Sequence, residues 1–224
     1  MNTLPIILSV ETATKQCSVA LTEGEKLLAC EELAEEQYTH AEKLHEFINQ
    51  VVTQAGLSFS DLDAVAVSKG PGSYTGLRIG VSAAKGLCYA LNIPLLAHST
   101  LEVLAQQINP EEGLIIPMID ARRMEVFTCV FDSNKHYIEM PNAKVIEPNS
   151  FSEYKDKIHL VGDGALKCRE VLSEPKFVYY LDNIYPSAKD MTALNLKKYQ
   201  EKSFEDVAYF EPYYLKDFQV NGKR

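Results

Sequence analysis

Residues 5–22, PIILSVETATKQCSVALT, hold two short runs rich in β-branched residues, PIILSVE and QCSVALT, separated by a small polar turn around Ala13-Thr14-Lys15. That arrangement predicts a β-hairpin. KLLACEEL (26–33) continues as a third strand. From Thr39 the period changes: Ala41, Leu44, Ile48, Val52 and Ala55 fall on one helical stripe, and Gly56 closes it. DAVAVSKG (63–70) reads as a buried strand, followed by a glycine-rich turn and a helix from about Leu77 to Leu91. IPLLAHS (93–99) is the next strand.

A meander of three strands followed by helix, strand, helix and strand is the order of the ribonuclease H-like, actin-like ATPase class of α/β folds. The second half repeats the outline in weaker form. LIIPMID (114–120), MEVFTCVFD (124–132) and HYIEMPNAKVI (136–146) predict three strands, with a helix starting near Ser150. IHLVGDG (158–164), a helix from Ala165 to Leu172 and KFVYYLD (176–182) follow. AKDMTALNLKKYQEK (188–202), with Met191, Leu194 and Lys198 on one face, is the last helix. The expected architecture is two lobes of duplicated mixed-sheet topology, residues 1–106 and a reduced lobe 107–224, joined by polar QQINPEEG (106–113). Duplicated halves of this kind bind ligands in the cleft between them.

Charge narrows the function classes. The chain of 224 residues carries a net charge of −9, with no lysine- or arginine-rich run before its last two residues, which argues against a free-standing nucleic-acid binder. The five cysteines, Cys17, Cys30, Cys88, Cys129 and Cys168, form no CxxC pair and no zinc spacing, which fits a reducing compartment. The apolar run at the N-terminus is too short for a signal segment or a membrane span, and Glu11 interrupts it. The expectation is a soluble, cytoplasmic protein with no membrane association.

SKGPGSYTGLRIG (68–80) follows a strand and opens a helix. Gly70, Gly72 and Gly76 in that context can bring backbone N–H groups close to an anion at the helix N-terminus. It is no Walker A loop, because no Gly-Lys-Ser/Thr follows. As a dinucleotide fingerprint the glycine spacing is one residue too long, and no acidic residue ends the next strand. The plain alternative is a tight strand-to-helix turn in which Pro71 fixes the backbone, Ser73 and Thr75 enter the helix and Arg78 faces solvent.

The helix that follows has two apolar sides. Leu77, Gly80, Val81, Ala84, Leu87, Cys88 and Leu91 form a broad face for the sheet. Ile79, Ala83, Gly86 and Ala90 form a second stripe of small residues, suited to close approach of another helix. His40, Phe47 and Val51 lie at one edge of the first helix's core stripe. Together these residues make either a partner interface or a helix–helix contact inside the monomer.

GPGSYTGLRIG, the opening ILSVETATKQCSVAL and the later IDARRMEVFTCVF closely resemble the TsaB (YeaZ) family, and HAEKLHEFI, LVGDGA and EPYYLK fit its pattern. The resemblance spans residues 6 to 215. It implies an actin-like ATPase fold shared with TsaD, the catalytic threonylcarbamoyl transferase. It further implies a non-catalytic subunit that pairs with TsaD through the helical face above, is joined by the ATPase TsaE, and meets tRNA only through the complex. A homodimer through the same face is open for the isolated chain.

No cofactor is expected. The turns matching the phosphate loops of this fold are Glu11-Thr12-Ala13-Thr14 and Asp120-Ala121-Arg122-Arg123, and neither keeps a glycine. Glu11, Thr12, Asp120 and Arg122 are the only candidates there, and a hairpin salt bridge with solvated charge accounts for Asp120 and Arg122. TsaD proteins hold a metal through HxxxH. The matching stretch here runs from His98 to Glu102, leaving two potential ligands, while His40 and His45 are misaligned on a helix. No metal is expected. Ser68 and Ser73 lack a nucleophile elbow. The rival readings are a stand-alone ATPase or small-molecule kinase of the same fold, and a metallopeptidase.

Overall fold

The structure, a computed structural model, describes residues 4–34, 40–182 and 184–216; Thr39 and the His40 side chain lie outside the described residues. Strands β1 (Ile6–Glu11), β2 (Gln16–Glu23) and β3 (Lys26–Ala34) form the expected meander, followed by α1 (His40–Gln54), β4 (Ala64–Gly70), α2 (Tyr74–Leu91) and β5 (Leu95–Ser99). The short helix α3 (Thr100–Ala105) leads into a second meander of β6 (Leu114–Asp120), β7 (Glu125–Asp132) and β8 (Tyr137–Val145). Then come β9 (Ile158–Val161), α4 (Asp163–Cys168), β10 (Phe177–Tyr180) and α5 (Thr192–Gln200).

The duplication is complete at the level of the sheets. The first runs β3-β2-β1-β4-β5 and the second β8-β7-β6-β9-β10. In each, the meander is antiparallel and the two later strands pair parallel to it. Even the strand ends correspond, since β4 ends at Gly70 with φ 117° and β9 is followed by Gly162 with φ 115°. Helices are what the second lobe loses. The expected helix near Ser150 is a run of turns instead, with Phe151 at φ 64° and its ring buried, so one aromatic plug does the work of α1. The expected helix from Ala165 to Leu172 shrinks to α4, six residues long.

Alternation along β1 sorts the core. Leu8 and Val10 join Val65 and Val67 on the face covered by α1 and α2. Ile7 joins Ala64, Ala66 and Leu96 on the opposite face, against Val103 of α3 and Met191. Helix α3 also packs Leu101, Leu104 and Ala105 against Ile115, Ile119 and Phe131 of the second sheet. Apolar on both sides, it packs between the two sheets.

The division at 106/107 needs correction. Residues 184–216 return to the first lobe rather than completing the second. Met191 is fully buried beneath the first sheet, Glu205 bridges Leu95, and Phe210 enters the core of α1 and α2. The physical reason is that the first sheet has a second apolar face that α3, six residues long, cannot cover alone. No described helix is long and apolar enough to cross a membrane. Cys17, Cys88, Cys129 and Cys168 are buried and Cys30 half-buried, all as free thiols.

Candidate functional site

The glycine-rich stretch 68–80 folds as strand end, turn and helix start, with Ser73 as the N-cap of α2 accepting from Gly76 N at 3.3 Å. Its glycines serve the neighbouring β1–β2 turn. A Cβ on Gly72 would stand 2.3 Å from the Ala13 carbonyl oxygen, and one on Gly80 would stand 2.3 Å from Thr12 Oγ1. Real Cβ contacts do not reach such distances, so only glycine lets turn and helix meet this closely. Ser73 N donates to Ala13 O at 2.7 Å and Thr12 Oγ1 donates to Gly76 O at 2.8 Å, which fastens them together. Gly70 and Pro71 are buried, with Tyr213 N donating to Lys69 O at 2.6 Å behind them. Thr75 and Arg78 face outward.

Glu11 is 0% exposed, and its carboxylate is occupied by the protein itself. The Ser68 hydroxyl donates to one oxygen and Ala13 N to the other at 2.6 Å. Burial pushes its carboxyl up to about 7, against the pull of those two hydrogen bonds, and the Asp190 charge adds to the rise. Ser68 is a residue that spacing alone did not single out for this role; its place at the end of β4, beside the end of β1, is the only signal.

The second-lobe turn is pinned in another way. Asp120 pairs with Lys167 of α4, which also donates to the carbonyls of Arg123 at 2.7 Å and Glu125 at 2.6 Å. The salt bridge expected inside the hairpin therefore runs to α4 instead. Arg122 and Arg123 sit at φ 69° and 52° at the turn, both exposed, and Arg122 N donates to Asp120 Oδ1 at 2.8 Å. A cavity of about 340 Å³ beside the start of the C-terminal return, lined by no residue of either turn, holds Glu32, Asp182 and Asp190 against one ammonium, Lys189, already paired with Glu32 at 3.0 Å. Such a lining repels polyphosphate.

His98 and Glu102 do not share a helix face. His98, the next-to-last residue of β5, is 1% exposed, and its Nε2 pairs with Asn195 Oδ1 at 2.8 Å. Asn195 Nδ2 donates to Ser9 Oγ at 2.7 Å, so Asn195 Oδ1 must accept and the histidine carries its proton on Nε2. Burial, aided by the Lys198 charge, pushes His98 down to about 3, leaving it neutral. Glu102 caps its own helix, accepting from Ser99 N at 3.0 Å. Among the described residues no group of three His, Cys, Asp or Glu could hold a metal ion.

The helical face divides. Phe47 and Val51, 7% and 0% exposed, belong to the core of the first lobe and offer nothing to a partner. Helix α1 lies across β2 and β3, so its buried stripe is wide: Leu44, Phe47, Ile48, Val51 and Val52. Ile79, Ala83 and Gly86 line an apolar groove of about 820 Å³ between α1 and α2, together with Ile48, Leu87 and His45. Ala90 is exposed beyond the groove's lining, and the side chain of His40 lies outside the described residues.

Two sheets of one topology around a shared helix define a two-lobed α/β protein of the actin-like, ribonuclease H-like class. A family profile described as "TsaD: tRNA N6-adenosine threonylcarbamoyltransferase" matches residues 32–221. The chain is 30% identical over 220 residues to tRNA threonylcarbamoyladenosine biosynthesis protein TsaB of Escherichia coli strain K12, covering 94% of each. It is 29% identical over 226 residues to TsaB of Bacillus subtilis strain 168, covering 97% of this chain and 96% of that one. The solved YeaZ from Pseudomonas aeruginosa superposes with a TM-score of 0.83 at 25% identity, over 95% of this chain and all of that one. The chain belongs to the TsaB family.

Proposed function

We propose that this chain is the non-catalytic partner subunit of tRNA N6-threonylcarbamoyladenosine synthesis, pairing with the transferase TsaD as a heterodimer that the ATPase TsaE joins. Its place in that synthesis follows from its TsaB relatives, which carry the modification in their names. The observation that carries the partner role is the open apolar groove of about 820 Å³ between α1 and α2. An apolar surface of this kind, left open by the described residues, is the usual mark of a protein interface. The non-catalytic role is supported by Glu11, whose oxygens are taken by Ser68 and Ala13. Contact with tRNA runs through the complex, because a chain of net charge −9 releases few counterions on its own.

Reconstitution tests this reading. Supplied with threonylcarbamoyl-adenylate and tRNA, the isolated chain forms no modified adenosine, whereas addition to TsaD and TsaE raises the yield. ATP turnover by the chain alone, lost on Asp120→Asn, would overturn the proposal in favour of a stand-alone ATPase or kinase.

A further inference from the structure

The turn from β6 to β7 carries two adjacent arginines in an unfavourable backbone setting. Arg122 and Arg123 sit at φ 69° and 52°, in the left-handed region that glycine and asparagine enter at least cost. The surrounding structure holds them there. Lys167 donates to Arg123 O at 2.7 Å and to Glu125 O at 2.6 Å, and Arg122 N donates to Asp120 Oδ1 at 2.8 Å. Asn-Gly is the pair that such a turn favours. A strained conformation kept instead at two long cations points to their side chains as its reason.

Both arginines are exposed, and neither guanidinium has a carboxylate or hydrogen-bond partner among the described residues. The acids beside them are already engaged, Asp120 with Lys167 and Glu125 with Lys216. Asp163 accepts from Asp120 N at 2.9 Å, and burial pushes its carboxyl up, toward the neutral form. The turn is therefore a local excess of positive charge in a chain with nine more acids than bases.

Resting on the partner role proposed above, we propose that the Arg122–Arg123 turn is a phosphate contact for the tRNA held by the assembled complex. The two guanidinium groups take oxygens of the phosphodiester backbone, which their planar forks match in geometry. A protein partner would call for an apolar centre, and the turn is flanked instead by Asp120, Glu125, Lys167 and Lys216. Two phosphate contacts are too few for this acidic chain to hold RNA alone, and they add to an RNA already held by the rest of the complex. Contacts of this kind position the RNA and read no sequence.

The test compares wild type with the double variants Arg122→Asn/Arg123→Gly and Arg122→Lys/Arg123→Lys. Pairing with TsaD is measured first without RNA, then tRNA is titrated into each complex across a range of salt. In Arg122→Asn/Arg123→Gly, pairing is expected to stay intact and thermal melting to rise as the strain is relieved. Its tRNA binding should weaken on the order of tenfold at 150 mM salt, with a salt slope smaller by about two. The lysine variant keeps most of the slope. Unchanged tRNA affinity and slope with pairing intact overturn the phosphate contact and leave the partner reading standing. Loss of pairing in the Asn-Gly variant assigns the turn to a protein interface and overturns the proposal. A wild-type chain that fails to join TsaD overturns the partner reading and the proposal with it. ATP binding by the isolated chain that vanishes in the Asn-Gly variant assigns the turn to a nucleotide and overturns the RNA contact.

Discussion

The Thr12 hydroxyl donates to the Gly76 carbonyl at 2.8 Å, joining the β1–β2 turn to the first turn of α2 across 64 positions of sequence. The turn is packed closely against Gly72 and Gly80, and Glu11 beside it is buried in bonds to the protein.

Replacing Gly72 with alanine forces a methyl group to within 2.3 Å of the Ala13 carbonyl, a backbone atom with no easy retreat. Gly72→Ala is expected to lower stability by about 1–3 kcal/mol, measured by urea unfolding. Gly86→Ala faces open space on an exposed helix position, and should raise stability by up to ~1 kcal/mol. Equal effects at the two sites would contradict the assignment of the 68–80 glycines to close packing.

Glu11 gives the pH dependence an unusual sign. Its folded value of about 7 lies above the ordinary 4.5, so between those limits the folded protein holds more protons than the unfolded chain. Stability from this group is therefore full below pH 4.5 and is lost as pH rises through 7, by on the order of a few kcal/mol. His98, with a folded value of about 3 against an ordinary 6.5, acts oppositely and loses stability as pH falls. The difference between wild type and Glu11→Gln isolates the first term. Thermal melts from pH 5 to 8 should show the variant gaining on wild type as pH rises; a pH-independent difference would count against the buried acid.

The chain Ser9–Asn195–His98 fastens α5 to β1 and β5 in the middle of the first sheet. Asn195→Ala leaves the His98 Nε2–H donor and the Ser9 hydroxyl acceptor without their partner, costing about 1–3 kcal/mol in all, a fall in Tm of roughly 2–12 °C for a chain of this size. Hydrogen exchange should speed in β1 and β5 and not in the second sheet. Faster exchange confined to the second sheet would mean that α5 belongs there after all.

What could be read from the amino acids was local. The meander of β1, β2 and β3, the helix α2 and the strands of the second sheet follow from period and turn residues, because each buries one side against a neighbour close in sequence. The return of Met191 and Asn195 to the first lobe was not legible: a helical stripe says that a face is buried, not against which sheet. Phe47 and Val51 were misplaced for a related reason, since the width of α1's buried stripe depends on the strands it crosses. Asp120 finds Lys167, 47 positions away, and no spacing rule announces such a pair. The second lobe's missing helix was concealed by Phe151, a single buried ring in a left-handed turn.

The partner role rests on α2, and Ala83→Glu tests it most directly. Ala83 lines the groove, while Leu77, Val81, Ala84 and Cys88 hold the opposite side of the helix in the core. A glutamate there clashes with a closely approaching helix and buries an unpaired charge. Either costs several kcal/mol, where about 1.4 kcal/mol is already tenfold. Titration of TsaD into the variant, beside its circular dichroism melt, should show a folded protein with no measurable binding. A folded Ala83→Glu protein that binds TsaD as wild type does would place the interface on another surface and contradict the account.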